Sequence, residues 1–138
     1  MTKEEFIAEL NKDLEWEYAA AVQYVQHAAT ITGAEYDAIG KELLIHSNEE
    51  MIHAQKVSDM ISDLGGVPVV DVEERKVSDD SKTMLEQDLG GEELAITRYK
   101  ARIAQAEELG EYGVRRVLED ILMDEEEHRR DLLSTLGR

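Results

Sequence analysis

Cysteine is absent from the 138-residue chain, which excludes disulfides, zinc ribbons, iron–sulfur clusters and a thiolate nucleophile. Proline occurs once and aromatic residues make up only 5%, so little interrupts a helix and little suits a β-sandwich core. No run approaches the roughly 18 apolar residues of a membrane span. The N-terminal Met-Thr-Lys-Glu-Glu-Phe does not read as a secretion signal, and the expected location is the cytoplasm. Basic residues are outnumbered, 15 Lys and Arg against 32 Asp and Glu, for a net charge of −17. Such a charge repels nucleic-acid and anionic-membrane phosphates and attracts cations, although it also simply favours solubility. With 42% hydrophobic and 34% charged residues, the composition predicts one soluble all-α domain over residues 1–138, burying about two-thirds of its unfolded surface.

Within this acidic chain, Glu50-Met51-Ile52-His53 is echoed by Glu125-Glu126-Glu127-His128. Glu and His three apart on a helix share a face, roughly 60° apart around the axis, and both can reach one metal ion. Glu occupies 21 of the 138 positions, so one such pair carries little weight. The register of the echo carries more. Glu17 and Glu92, Tyr24 and Tyr99, Glu50 and Glu125, and His53 and His128 are each separated by 75 residues. The chain reads as two helical hairpins, each bringing a lone Glu and a Glu-x-x-His.

Apolar residues stepping by three and four predict four helices. The first spans Thr2–Thr32, N-capped by Thr2, with the stripe Ile7, Leu10, Leu14, Glu17, Ala21, Tyr24, Ala28, Ile31. Trp16 and Val22 lie off it and suggest a second apolar surface for another subunit. The second helix spans Glu35–Leu64 and places His46, Glu50 and His53 between Ile39 and Leu43 on one side and Val57, Met60 and Leu64 on the other. Glu49, one step away, reads as solvent-facing. The third, Ser81–Gly110, selects Glu92 over Glu93, and the fourth, Glu111–Leu136, selects Glu125 and His128 over Glu126 and Glu127. Gly90-Gly91 inside the third helix costs up to about 1 kcal/mol per glycine; close backbone approach and a local bend are the two readings. Residues 65–80 lack helical periodicity, and Val67, Val69, Val70 and Val72 suggest an extended strip over the bundle. A connection of that length lets helices two and three run parallel, giving an antiparallel four-helix bundle with one long crossover, the ferritin-like topology.

The stripes bring Glu17, Glu50, Glu92, Glu125, His53 and His128 to one level of the core. Four buried carboxylates need compensation, and two divalent cations supply it. Oxygen-rich ligation with one imidazole per metal suits iron or manganese better than zinc.

On these residues the chain resembles the bacterioferritins over nearly its full length. Glu17-Tyr-Ala-Ala-Ala-Val-Gln-Tyr24 with His27-Ala28, Glu50-Met-Ile-His53-Ala54 with Gly65-Gly66-Val67-Pro68, Asp88-Leu-Gly-Gly-Glu92 and Asp124-Glu125-Glu-Glu-His128 resemble that family's four helices. The resemblance implies terminal iron ligands at Glu17 and Glu92, bridging ligands at Glu50 and Glu125, and one histidine per iron. It further implies Tyr24 as a hydrogen-bonding and redox residue, and Met51 as a b-type haem ligand across a dimer two-fold. His46 stands where the family commonly has a carboxylate, so an extra ligand and a neighbouring base both remain open for it. The sequence stops before the family's short fifth helix, so a homodimer is the expected smallest unit and a cage is not assumed. Tyr24 with Tyr99, and Gly91 before Glu92, resemble rubrerythrins instead, but the extra third-helix Glu of those proteins is here Ala95. The expected function is oxidation of Fe(II) to Fe(III) by O2 or H2O2 at two iron ions. A rubrerythrin-like peroxidase and a metal-stabilised helical scaffold are the alternatives.

Overall fold

A computed structural model describes all of residues 1–138. Four helices are present: α1 (Lys3–Thr30), α2 (Asp37–Asp63), α3 (Ser81–Glu108) and α4 (Tyr112–Thr135). Thr2 caps α1 as predicted. Its hydroxyl accepts from the Glu5 amide at 3.1 Å, and the Glu5 carboxylate accepts from the Thr2 amide at 2.8 Å, so two otherwise orphaned donors are satisfied reciprocally. Asp80 caps α3 by accepting from the Thr83 amide at 2.9 Å. The second helix starts two residues later than its pattern suggested, because Ala34–Tyr36 form a 3-10 turn. Gly65 and Gly110 follow α2 and α3 at φ of 92° and 74°, the left-handed conformation that releases a chain from a helix at least cost.

Polar contacts fix the packing directions. Residues 13, 17, 24 and 27 of α1 meet residues 102, 99, 92 and 88 of α3, and residues 46, 49 and 53 of α2 meet 131, 128 and 124 of α4. Both pairs are antiparallel, and Ser47 on the Ala21 carbonyl with His53 beside Glu17 makes α1 and α2 antiparallel as well, which leaves α2 and α3 parallel and joined by the long crossover. Apolar residues form two buried groups. One includes Phe6, Leu10, Leu14, Val57, Ile61 and Leu118; the other includes Tyr24, Ile39, Leu43, Leu85, Leu89 and Leu132. Phe6 is fully buried, while Ile7, which the stripe favoured, is half-buried. The chain after α2 lies over this flank of α1: a Cβ on Gly66 would approach Ile7 Cγ2 to 2.6 Å. With α2, α3 and the crossover around it, α1 buries a wider arc than one stripe.

Residues 66–78 form no regular element and are held mainly by polar side chains of α1. Asn11 accepts from the Val69 amide at 2.9 Å and donates to the Val67 carbonyl at 3.2 Å. Gln23 accepts from the Lys76 amide at 2.7 Å, and His27 Nε2 donates to the Lys76 carbonyl at 3.0 Å. Of the four valines expected to cover the bundle, only Val69 packs on the core; Val67 and Val70 are more than 80% exposed. Polar clasps hold this segment, and the valines are incidental to it.

Candidate metal centre

Glu17 (α1), Glu50 and His53 (α2), Glu92 (α3), and Glu125 and His128 (α4) converge between the two apolar groups, each at most 2% exposed. His53 Nδ1 lies 3.5 Å from Glu17, 3.3 Å from Glu50 and 3.2 Å from Glu125. His128 Nδ1 lies 3.2 Å from Glu50, 3.4 Å from Glu92 and 3.5 Å from Glu125. Two four-residue sets therefore overlap, with donor atoms within 4.8 Å of one another in each. Glu50 and Glu125 belong to both, as carboxylates shared between two cations must.

Glu17 Oε2, Glu50 Oε1, Glu92 Oε2, both Glu125 oxygens and the Nδ1 atoms of His53 and His128 are buried without a hydrogen-bond partner. Native cores rarely leave such atoms unpaired. Most of the buried atoms left so in this chain belong to the six converging residues, and their oxygen-rich, two-imidazole composition fits two hard or borderline divalent cations.

Without cations, burial and mutual repulsion shift the carboxyl groups towards their protonated forms. Burial, reinforced by the Glu125 charge, pushes Glu17 up to about 7 and Glu92 up to about 8. Burial and Glu50 push Glu125 up to about 8, and burial with Glu17 and Glu92 raises Glu50. Burial opposes charge on the imidazoles, but the carboxylates outweigh it: Glu125, Glu17 and Glu50 raise His53, and Glu50 and Glu92 push His128 up to about 12.

A ring of partners surrounds the six. Tyr24 donates to Glu92 at 2.5 Å, and Tyr99 donates to Glu17. His53 Nε2 meets Asp124 at 2.8 Å and His128 Nε2 meets Glu49 at 3.0 Å, so carboxylates orient both rings with Nδ1 inward. Asp13, 2% exposed, is held by Arg98 and Arg102, each at 2.7 Å, and Asp88, 3% exposed, by His27 and Gln23 at 2.9 and 3.0 Å. Sequence reasoning missed Glu49, Asp124, Asp13 and Asp88. The 75-residue offset could have found them, because it relates Glu49 to Asp124, Asp13 to Asp88, Gln23 to Arg98 and His27 to Arg102. In every pair, one half of the chain positions a residue of the other.

Gly90 and Gly91 have no atom within 4 Å of an added Cβ, so close backbone approach is not their reason. They line a cavity of about 110 Å³ between α1 and α3 that reaches Glu17, Glu50, Glu92 and Glu125. Met51 does not join the centre; it is half-exposed on the outer side of α2. His46 is fully buried, its ring stacked on His128 at 4.1 Å between centroids. Burial and the neighbouring His128 lower its pKa to about 4.

The family model described as a ferritin-like domain matches residues 7–138. The chain belongs to the ferritin-like family. Within it, the chain is 32% identical to a bacterioferritin of Brucella melitensis over 138 residues, covering 95% of this chain and 86% of that protein. It is 30% identical to the nutrient stress-induced DNA-binding protein of a Nostoc species, covering 87% of this chain and 71% of the relative. A ferritin-like diiron-carboxylate protein from Bacillus anthracis superposes with a TM-score of 0.90 at 32% identity, covering 96% of both chains. A dodecameric thioferritin from Bacteroides fragilis does so with a TM-score of 0.92 at 31% identity, covering 99% of this chain and 87% of that one. These ferritin-like relatives place the chain on the bacterioferritin-like side of the family, and its buried Glu and His clusters fit iron storage or di-iron binding.

Proposed function

We propose that residues 1–138 form one ferritin-like di-iron domain that oxidises Fe(II) to Fe(III) with O2 or H2O2, in iron storage or detoxification. The observation that carries this reading is the pair of overlapping ligand sets sharing Glu50 and Glu125. Glu17, His53, Glu50 and Glu125 would hold one iron, and Glu92, His128, Glu50 and Glu125 the other. Bound iron supplies the one-electron redox chemistry that these side chains lack. The chain supplies charge and geometry. Its four carboxylates match two divalent ions, Tyr24 and Tyr99 fix the terminal glutamates, and Asp124 and Glu49 aim the imidazoles. Two Fe(II) ions release two electrons; with two protons these reduce O2 to H2O2, or H2O2 to two waters. The cavity between α1 and α3 gives a small oxidant a way to the carboxylates.

The location fitting this reading is the cytoplasm, and no helix is long and apolar enough to cross a membrane. Exposed Val22, Val25, Leu44, Ile45, Met51 and Ile52 on α1 and α2 support a homodimer as the smallest unit, with a b-type haem between two Met51 side chains. The dodecameric neighbour supports assembly beyond that dimer. Although one relative is named for DNA binding, the net charge of −17 argues against that partner here.

Aerobic Fe(II) addition tests the reading. Oxidation should outpace a protein-free control, and His128→Ala should remove the gain. Oxidation that halts at two irons per chain, while peroxide reduction continues with a donor, would favour the rubrerythrin-like peroxidase instead.

A further inference from the structure

Outside the six-residue centre, Glu42 and His46 on α2 and Asp131 on α4 form a separate constellation. His46 Nε2 lies 3.1 Å from Asp131 Oδ2 and 3.9 Å from Glu42 Oε1. Metal–donor bonds of about 2.1 Å put neighbouring octahedral ligands about 3.0 Å apart and opposite ones about 4.2 Å apart. Both distances fall within or close to that span, and the three donor atoms lie within 4.8 Å of one another. The imidazole is fully buried, whereas the Glu42 and Asp131 side chains are 40% and 37% exposed. The donors thus close a site on the protein side and leave it open to water on the other.

The internal repeat sets His46 apart. Every other buried ionisable side chain of the first half has a polar counterpart 75 residues on: Asp13 has Asp88, Glu17 Glu92, Tyr24 Tyr99, His27 Arg102, Glu50 Glu125 and His53 His128. His46 instead corresponds to Ile121, Glu42 to Val117, and Asp131 to Lys56. Ile121 is fully buried in the core, so the bundle accepts an aliphatic side chain at that register. A buried imidazole carries a desolvation cost that isoleucine does not. A hydrogen bond from the ring to Asp131 offsets part of it, but it does not account for Glu42, whose carboxylate faces the same ring nitrogen.

We propose that Glu42, His46 and Asp131 bind a third divalent cation on the α2/α4 face, of the class ligated by imidazole and carboxylate: Fe(II), Mn(II) or Zn(II). The ring stacking at 4.1 Å places it one imidazole from the His128 side of the main centre. It lies on the opposite flank of the bundle from the α1/α3 cavity, and its half-exposed carboxylates keep the ion in exchange with solvent. The site stands whether or not the main centre oxidises iron.

The test uses Mn(II) alone. Crystals of the full chain soaked in Mn(II) should show, besides the paired peaks of the main centre, a third anomalous peak at His46 Nε2. Mn(II) titration followed by electron paramagnetic resonance should count three ions per chain in solution. Glu42→Gln with Asp131→Asn, both at half-exposed positions, should remove the third peak and the third equivalent while the pair remains; His46→Leu should do the same. A wild-type protein with the pair alone overturns the proposal, as does a third peak that survives Glu42→Gln/Asp131→Asn, or one seen in crystals without a third equivalent in solution. Loss of the paired peaks with the third retained would count against the di-metal reading alone.

Discussion

The Tyr24 hydroxyl, from the first half of the chain, donates at 2.5 Å to Glu92 of the second half. Tyr99 returns the contact to Glu17. A phenol whose pKa burial pushes well above its ordinary value stays protonated and keeps donating, so each terminal carboxylate has one oxygen tied and the other free. Tyr24→Phe removes that tether and no ligand. It should lower the Fe(II) oxidation rate by about 10-fold, the lower end for groups that orient metal ligands, without changing the metal count. Tyr99→Phe should behave alike. Elemental analysis beside stopped-flow kinetics separates the two quantities, and an emptied site would reject the positioning role.

Acidity of the metal-free centre sets a pH dependence of stability. Unfolded glutamates titrate near about 4.3, whereas folded Glu17 titrates at about 7 and Glu92 and Glu125 at about 8. Between those limits the folded state binds more protons than the unfolded one, so stability falls as pH rises. The histidines act in the same direction. Their raised folded values confer stability that is complete below about 6.5 and is lost as pH rises towards about 12 for His128. Metal-free protein should therefore melt at a lower temperature at pH 8.5 than at pH 6, and the stabilisation by Mn(II) should grow over that interval because the ions displace these protons. Calorimetry in both forms checks this; a metal-free melting temperature that rises with pH would contradict it.

The two buried aspartates invite a comparison. Arg102→Met leaves Asp13 with Arg98 alone, and breaking a buried pair of this kind costs about 3 kcal/mol, readable by chemical denaturation. His27→Ala removes the contacts to Asp88 and to the Lys76 carbonyl. Besides a stability loss, it should speed amide hydrogen exchange around residues 73–77, the part of the crossover those contacts hold. Unchanged exchange there would mean that Gln23 suffices as the clasp.

The convergence of the six side chains was legible because charged residues interrupt rows that are otherwise aliphatic. Glu17 interrupting Leu14 and Ala21 is such a row. Asp13 and His27 were not legible in this way, since they face α3 and the crossover from beside the stripe and their partners lie 89 and 61 residues away. Glu49 was read as solvent-facing, and its exposure is indeed partial; its contact with His128 depends on how α2 and α4 pack. The valines of the crossover misled because β-branched residues suggest burial, whereas backbone hydrogen bonds to Asn11, Gln23 and His27 hold that segment.

Met51 follows Glu50 by one residue, so its side chain projects about 100° around the helix from the metal face. The structure puts it half-exposed, with Ile52 beside it and Tyr18, Ala54, Gln55 and Ser58 completing a shallow apolar depression. Unbranched and polarizable, methionine serves either as packing at a seam or as a soft ligand. A two-fold axis would supply a second Met51 for the opposite face of a haem iron from the same residue. Added haem should then saturate at one per two chains, with a visible spectrum of bis-thioether ligation that Met51→Leu abolishes while the dimer persists in light scattering. An unchanged spectrum and affinity in the variant would assign Met51 to apolar packing. Should wild-type protein remain monomeric, the exposed Val22, Val25, Leu44 and Ile45 would need another occupant, and a haem shared by two Met51 side chains would be excluded on symmetry alone.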